Sequence, residues 1–179
     1  GSPRVSTGAE RERAAEQHRA RSGKMTTDIE ARLTELGITL PNAPDSAANY
    51  VPFVIVGDMA FISGQVSSDA NGFITGKIGA DLTTEQGAAA ARTCAISLLA
   101  QVKAACGGDL TRLVRAVKLT GFVNSTPDFT EQPKVINGAS DVLVEILGDA
   151  GRHSRSAVSA GALPFNVAVE IEGIFQIKP

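Results

Sequence analysis

Two arginines, a histidine and two glutamates crowd toward the end of the chain. They lie in Arg152-His153-Ser154-Arg155-Ser156-Ala157-Val158 and, after a Leu163-Pro164 turn, in Val169-Glu170-Ile171-Glu172. A guanidinium offers a planar fork of donors that grips a carboxylate through two parallel bonds, which the point charge of a lysine cannot do. Other reactive residue types lack partners. Ser63 precedes Gly64, but no accompanying histidine supplies a general base, so it reads as a serine at a strand end. Asp109, after Gly107-Gly108, reads as a turn or capping residue. Arg112, Arg115 and Lys118 recur every three residues. Along a strand this spacing puts Arg115 on the face opposite the other two, and the trio reads as solvated surface.

Cys94 and Cys106 are the only cysteines. On one helix they stand roughly 18 Å apart and about 120° around the axis, too far to bridge. No disulfide framework, secretory pattern or Cys/His cluster is present, so a reducing cytoplasmic compartment is expected. The two histidines, His18 and His153, do not make a metal site, and His18 falls in a tail. There is no P-loop, no Gly-rich dinucleotide fingerprint and no G-x-S-x-G elbow, so no cofactor is expected.

The 179 residues, 43% hydrophobic and 20% charged, fit one ordinary domain, and no apolar run nears the 20 residues that a membrane helix needs. Neither a membrane nor a nucleic acid is an expected partner. Seventeen Lys and Arg against nineteen Asp and Glu leave a net charge of −2, which gives no global attraction for polyanions. Seven Phe, one Tyr and no Trp leave few platforms on which bases could stack.

The chemistry must be positioned by elements that the pattern makes visible. Residues 1–24 carry five arginines and begin with Gly-Ser in the manner of an expression scar, and we set them aside as an appended or helical tail. Residues 25–49 hold a short helix, with capping-box spacing at Thr27 to Glu30, Ile29, Leu33 and Leu36 on one face and Gly37 as its stop, followed by a Pro-containing connector. Val51–Val56 and Met59–Ser63 flank Gly57-Asp58 as a hairpin, and Phe73 to Thr75 reads as a further short strand. Thr83 with Gln86 opens a long helix that runs to about Cys106. Val114–Val123 reads as a strand. A second long helix has Pro133 in its first turn, ends before Gly148 and faces Ile136, Ala139, Leu143 and Leu147 inward. The last strand alternates Val167, Val169, Ile171, Phe175 and Ile177 with outward Ala168, Glu170, Glu172 and Gln176.

These elements predict an α+β fold: a two-layer sandwich with a mixed, largely antiparallel sheet and two long helices on one face. Two helices cannot cover both sheet faces, so a homo-oligomer is expected unless the N-terminal helix and connector shield the rest.

Arg155-Ser156-x-Val158, Leu163-Pro164 and Val169-Glu170-Ile171-Glu172 together resemble the signature of the Rid family, the reactive intermediate deaminases, also called YjgF-like or L-PSP endoribonuclease-like proteins. Phe61-Ile62-Ser63-Gly64-Gln65 is similar to that family's hairpin strand, Val114–Asn124 is similar to its central strand, and the likeness spans residues 50–178. The resemblance implies a chorismate-mutase-like fold assembled as a homotrimer, with clefts between subunits for a small carboxylate or imine metabolite, and no metal or organic cofactor. It implies hydrolysis of 2-imino and 2-enamino acids, of the 2-aminoacrylate type, to 2-oxo acids and ammonia. Arg155 resembles the carboxylate-binding arginine. Glu170 resembles the acid that orders or activates the attacking water, and Glu172 shares its strand face. Backbone groups at Gly64 and Ala157, together with Ser63, Tyr50 and Asn137, correspond to positions around the ligand. An ion pair of Arg155 with Glu170 or Glu172 across a subunit boundary is the competing role. Two departures mark a divergent subgroup: Ala48-Asn49-Tyr50-Val51-Pro52 stands where the family has Gly-Pro-Tyr-Ser-Gln, and His153-Ser154 replaces a Pro-Ala-type pair. A noncatalytic carboxylate-sensing trimer is the alternative. An endoribonuclease fits the charge and aromatic content poorly.

Overall fold

The computed structural model describes residues 8–9, 12–13, 29–43 and 49–179. His18, Met25, most of the 1–24 tail, the Thr27-Asp28 start of the capping box and Ala48 fall outside the described residues. Helix α1 (Ile29–Glu35) buries Ile29 and Leu33 and ends at Gly37, whose φ of 67° is left-handed. Arg32 ties it down by donating to the Glu145 carbonyl at 2.9 Å.

Strands β1 (Phe53–Val56) and β2 (Met59–Val66) form the hairpin around Gly57-Asp58. Two short strands, β3 (Ser68–Asp69) and β4 (Gly72–Phe73), pair separately. Helix α2 (Thr84–Ala105) carries the full capping box, with Gln86 N–H donating to Thr83 Oγ1 and Thr83 N–H to Gln86 Oε1. Strand β5 (Leu113–Asn124), helix α3 (Gln132–Leu147), strand β6 (Ser154–Ala160) and strand β7 (Val169–Ile177) complete the layers. The sheet order is β1-β2-β7-β5-β6, antiparallel throughout except for the parallel β5/β6 pair, so β6 is an edge.

Both long helices lie on one sheet face and share one core with it. Ala91, Ala95, Leu98 and Leu99 of α2 meet Ile136, Ala139 and Leu143 of α3 over Leu119, Ile171 and Phe175. Cys94 and Cys106 are buried and unbridged. The two helices cross so closely that a β-carbon on Gly138 would overlap the Ala88 carbonyl. Backbone cannot yield there, so Gly138→Ala should cost about 3 kcal/mol and lower the thermal midpoint by about 6–12 °C. An unchanged melting curve would show that the helices can separate freely. The opposite sheet face carries Phe61 and Val158, each nearly half exposed. Among the described residues no helix is long and apolar enough to cross a membrane.

Two expectations need correction. Ala168 does not point outward: it is fully buried ahead of β7 and donates its N–H to Ile74 at 2.9 Å. The basic trio does not alternate across β5 either. Register shifts between Leu113 and Arg115, and again between Ala116 and Lys118, convert the burial period from two residues to three. Leu113, Ala116 and Leu119 are therefore all buried, and Arg115 and Lys118 are both exposed. Arg112 precedes the strand in a 3-10 turn (Leu110–Arg112) and donates twice to the Lys178 carbonyl. Asp109 caps that turn by accepting from Thr111 N–H and Oγ1.

Candidate functional site

Glu170 stands on the face of β7 away from the helices, across from Val66 on β2 and Phe122 on β5. Burial, followed by the neighbouring charge of Glu172, raises its carboxyl pKa above the ordinary carboxylate range. It borders a cavity of about 490 Å³ that is also lined by Tyr50, Ser63, Gly64, Phe73 and Phe165. The β2/β7 register slips between Ile62 and Gln65, and this bulge sets Gly64 against Glu170. A β-carbon on Gly64 would overlap Glu170 Oε1. That oxygen ends a flexible side chain, so Gly64→Ala should leave the melting temperature within about 2 °C. A carboxylate displaced by about 1 Å should slow any reaction that depends on it by about a hundredfold. Turnover and thermal midpoint measured on the same preparation check this, and full activity would show that the close approach is not used.

The remaining lining sets the character of the cleft. Ser63 donates its hydroxyl to the Val51 carbonyl at 2.8 Å, which employs it as a backbone brace rather than a nucleophile. Tyr50 is more than half exposed at the rim. Phe73 and Phe165 stack with centroids 5.2 Å apart. Phe165 and Asn166 both adopt left-handed backbone, at φ 57°, a strained pair for residues with side chains. The turn is pinned by the Asn124 amide, which donates to Asn166 Oδ1, and by Gly76 N–H, which donates to the Asn166 carbonyl.

Arg155 lies elsewhere. It pairs with Leu119, so it shares the helix-covered face of the sheet. Its Nη1 donates to Ser140 Oγ at 3.0 Å, and its Nη2 to the Pro133 carbonyl at 3.3 Å. Asn137 is exposed on α3 in the same helical stripe as Pro133 and Ser140, and Ala157 follows Arg155 two residues along the same strand face. The predicted residues thus form two clusters: Tyr50, Ser63, Gly64 and Glu170 around the cavity, and Arg155, Asn137 and Ala157 at the β6 edge. Neither Glu170 nor Glu172 forms an ion pair with Arg155 among the described residues.

Sequence reasoning missed Phe73, Phe165 and Ser140. An exposed Phe after Leu163-Pro164 was the one available signal for the aromatic wall. Nothing in residue type announced Ser140. Chemically, the cavity offers one carboxylate of raised basicity beside apolar walls, which suits holding a water and accepting its proton. Among the described residues Glu170 is the only charged one lining it. Among the described residues no group of three or more His, Cys, Asp or Glu gathers as a metal centre.

Residues 30–174 match the family described as "YjgF/chorismate mutase-like, putative endoribonuclease". Protein TCP17 of Trypanosoma cruzi is 47% identical over 152 residues, covering 84% of this chain and 94% of that protein. The crystal structure of Atu1372 from Agrobacterium tumefaciens, a protein described as of unknown function, is similar with a TM-score of 0.80 and 46% identity, covering 89% of this chain and 99% of that one. The structure of E. coli TdcF with bound serine is similar at a TM-score of 0.52 and 28% identity, covering 77% of this chain and 94% of that one.

Proposed function

The chain belongs to the YjgF/chorismate mutase-like family, and from that premise we propose that it hydrolyses small 2-imino and 2-enamino acids to 2-oxo acids and ammonia in clefts shared by neighbouring copies of a homotrimer. One observation carries the reading. Among the described residues the cavity is lined by a single negative charge and no cation, and Arg155 sits on the opposite face of the same sheet. An anionic substrate beside Glu170 therefore needs its counter-charge from a second copy. Arg155 rides on the unpaired edge strand, where a neighbour can be reached, and the exposed Phe61 and Val158 give the sheet face an apolar surface to bury. The amino acid bound by TdcF is a small carboxylate of the same general class.

In this mechanism Arg155 of one copy holds the carboxylate, and Asn137 and the Ala157 backbone border it. Glu170 of the next copy accepts a proton from a water that adds to the C=N carbon. The adduct's nitrogen takes that proton back, Glu170 then passes the hydroxyl proton to the same nitrogen, and ammonia leaves as the C=O bond of the 2-oxo acid forms. An enamine first becomes the imine by moving a proton from nitrogen to carbon. The endoribonuclease wording of the family finds no support in a cavity lined, among the described residues, by no His, Lys or Arg.

The test generates 2-iminopropanoate with an amino-acid oxidase and follows pyruvate. Acceleration by the protein, together with a solution mass three times that of the chain, is expected. A monomer, or a rate equal to the uncatalysed one, sinks the reading. Saturable carboxylate binding without turnover would replace it with a sensing trimer.

A further inference from the structure

His153 takes part in neither cluster's chemistry, yet it is half-buried directly behind Arg155. Its Nδ1 lies 2.6 Å from the Gly151 carbonyl oxygen, and its Nε2 lies 2.9 Å from Ser140 Oγ, the same oxygen that receives Arg155 Nη1. The donors follow from what each group is able to give or accept. A carbonyl only accepts, so Nδ1 carries the ring hydrogen. A guanidinium only donates, so Ser140 Oγ accepts from Arg155, and with a neutral ring the serine turns its own hydrogen toward the bare Nε2. A cationic ring would donate to the second lone pair of Ser140 Oγ; the neutral ring with hydrogen on Nδ1 instead gives the serine hydrogen a partner as well. Burial, and then the charge of Arg155, favour that neutral form by lowering the imidazole pKa.

The base of the chain is rigid. Gly151 is buried in a 3-10 turn (Gly148–Gly151), packed so tightly that a β-carbon would overlap the Leu143 carbonyl. The other bond of the guanidinium, to Pro133, is long at 3.3 Å, so its orientation depends chiefly on Ser140.

We propose that His153 is a positioning residue: by fixing the direction of the Ser140 hydroxyl it holds the Arg155 fork in the orientation that receives a substrate carboxylate. The proposal rests on the reading of Arg155 as the anchor, and it deepens that reading by giving His153 a role in holding it.

Three measurements on the full-length protein test it. Nitrogen-15 NMR of the ligand-free protein at neutral pH should show His153 with Nδ1 protonated and Nε2 bare; an Nε2-protonated or cationic ring overturns the proposal whatever the activity. Titration with 2-oxobutanoate, a stable carboxylate probe, should give an affinity about tenfold weaker in His153→Ala and in Ser140→Ala. The double variant should be no weaker than either single change, and His153→Gln, which keeps an acceptor for the hydroxyl, should recover to within about threefold. Additive losses or no rescue overturn it, as does a loss tracking a fallen melting temperature. In turnover the same variants should raise KM about tenfold and change kcat less than twofold. Weakened probe binding without any turnover in wild type would retain the relay and reject the deaminase. Undiminished binding by Arg155→Ala would reject the anchor and the relay together.

Discussion

Arg155→Ala should lower kcat/KM for 2-iminopropanoate by a hundredfold to a thousandfold while leaving the fold in place. In the proposed reaction the substrate carboxylate enters a cleft whose one lining charge among the described residues is the negative Glu170. Without the fork it is repelled and left partly desolvated. Truncating one partner of such a pair costs about 3–4 kcal/mol, and each 1.4 kcal/mol is a factor of about ten. The guanidinium makes two hydrogen bonds to α3, one of them long, so its removal costs little stability. Arg155→Lys keeps the charge and loses the planar fork, and should recover only part of the rate. Steady-state kinetics with a melting curve for each variant decide the matter. An Arg155→Ala protein within threefold of wild type would mean that the carboxylate is held by something else.

Glu170→Gln should separate function from stability. Proton transfer by a placed carboxylate is worth about a hundredfold to ten-thousandfold, and an amide cannot supply it, so kcat should fall by that amount. Stability should move the other way. Burial, and then Glu172, raise the folded-state pKa, so the folded chain binds this proton more tightly than the unfolded chain. The corresponding stability is present below the unfolded value and is lost as pH rises through the raised folded value. Near neutrality the wild type carries a disfavoured charge, and Glu170→Gln should melt at a higher temperature. At pH 3, where both forms are neutral, the two should converge. The same shift places the acid limb of the wild-type rate profile above the ordinary carboxylate range, because activity needs the basic form. Equal melting curves at pH 7.5 would remove the burial argument, and an undiminished kcat would remove Glu170 from the mechanism.

Much of the architecture was legible because it is encoded locally. Thr83 and Gln86 cap α2 at the expected residues, and the inward set Ile136, Ala139, Leu143 and Leu147 is buried as spaced. Alternation in β7 put Glu170 and Glu172 on one face. The bulges in β5 were not legible, since an extra residue in a ladder leaves no compositional mark when Val, Ala and Leu surround it. Nor was the side of the sheet that Arg155 occupies. Ser154–Ala160 has no apolar alternation, and its facing is set by pairing with Leu119 and packing against α3. The left-handed Phe165 and Asn166 run against propensity, and they hold only because Asn124 and Gly76 bind the turn.

The two cysteines bear on the proposed chemistry. An amino-acid oxidase that makes the imine releases hydrogen peroxide with it, and peroxide attacks thiolates that it can reach. Cys94 is 0% exposed and Cys106 1%, and burial, first among the causes, raises both thiol pKa values, so each stays protonated and shielded. Sulfenic acid formation therefore has no accessible sulfur from either cysteine, and the catalyst should outlast the by-product of its own substrate's synthesis without added reductant.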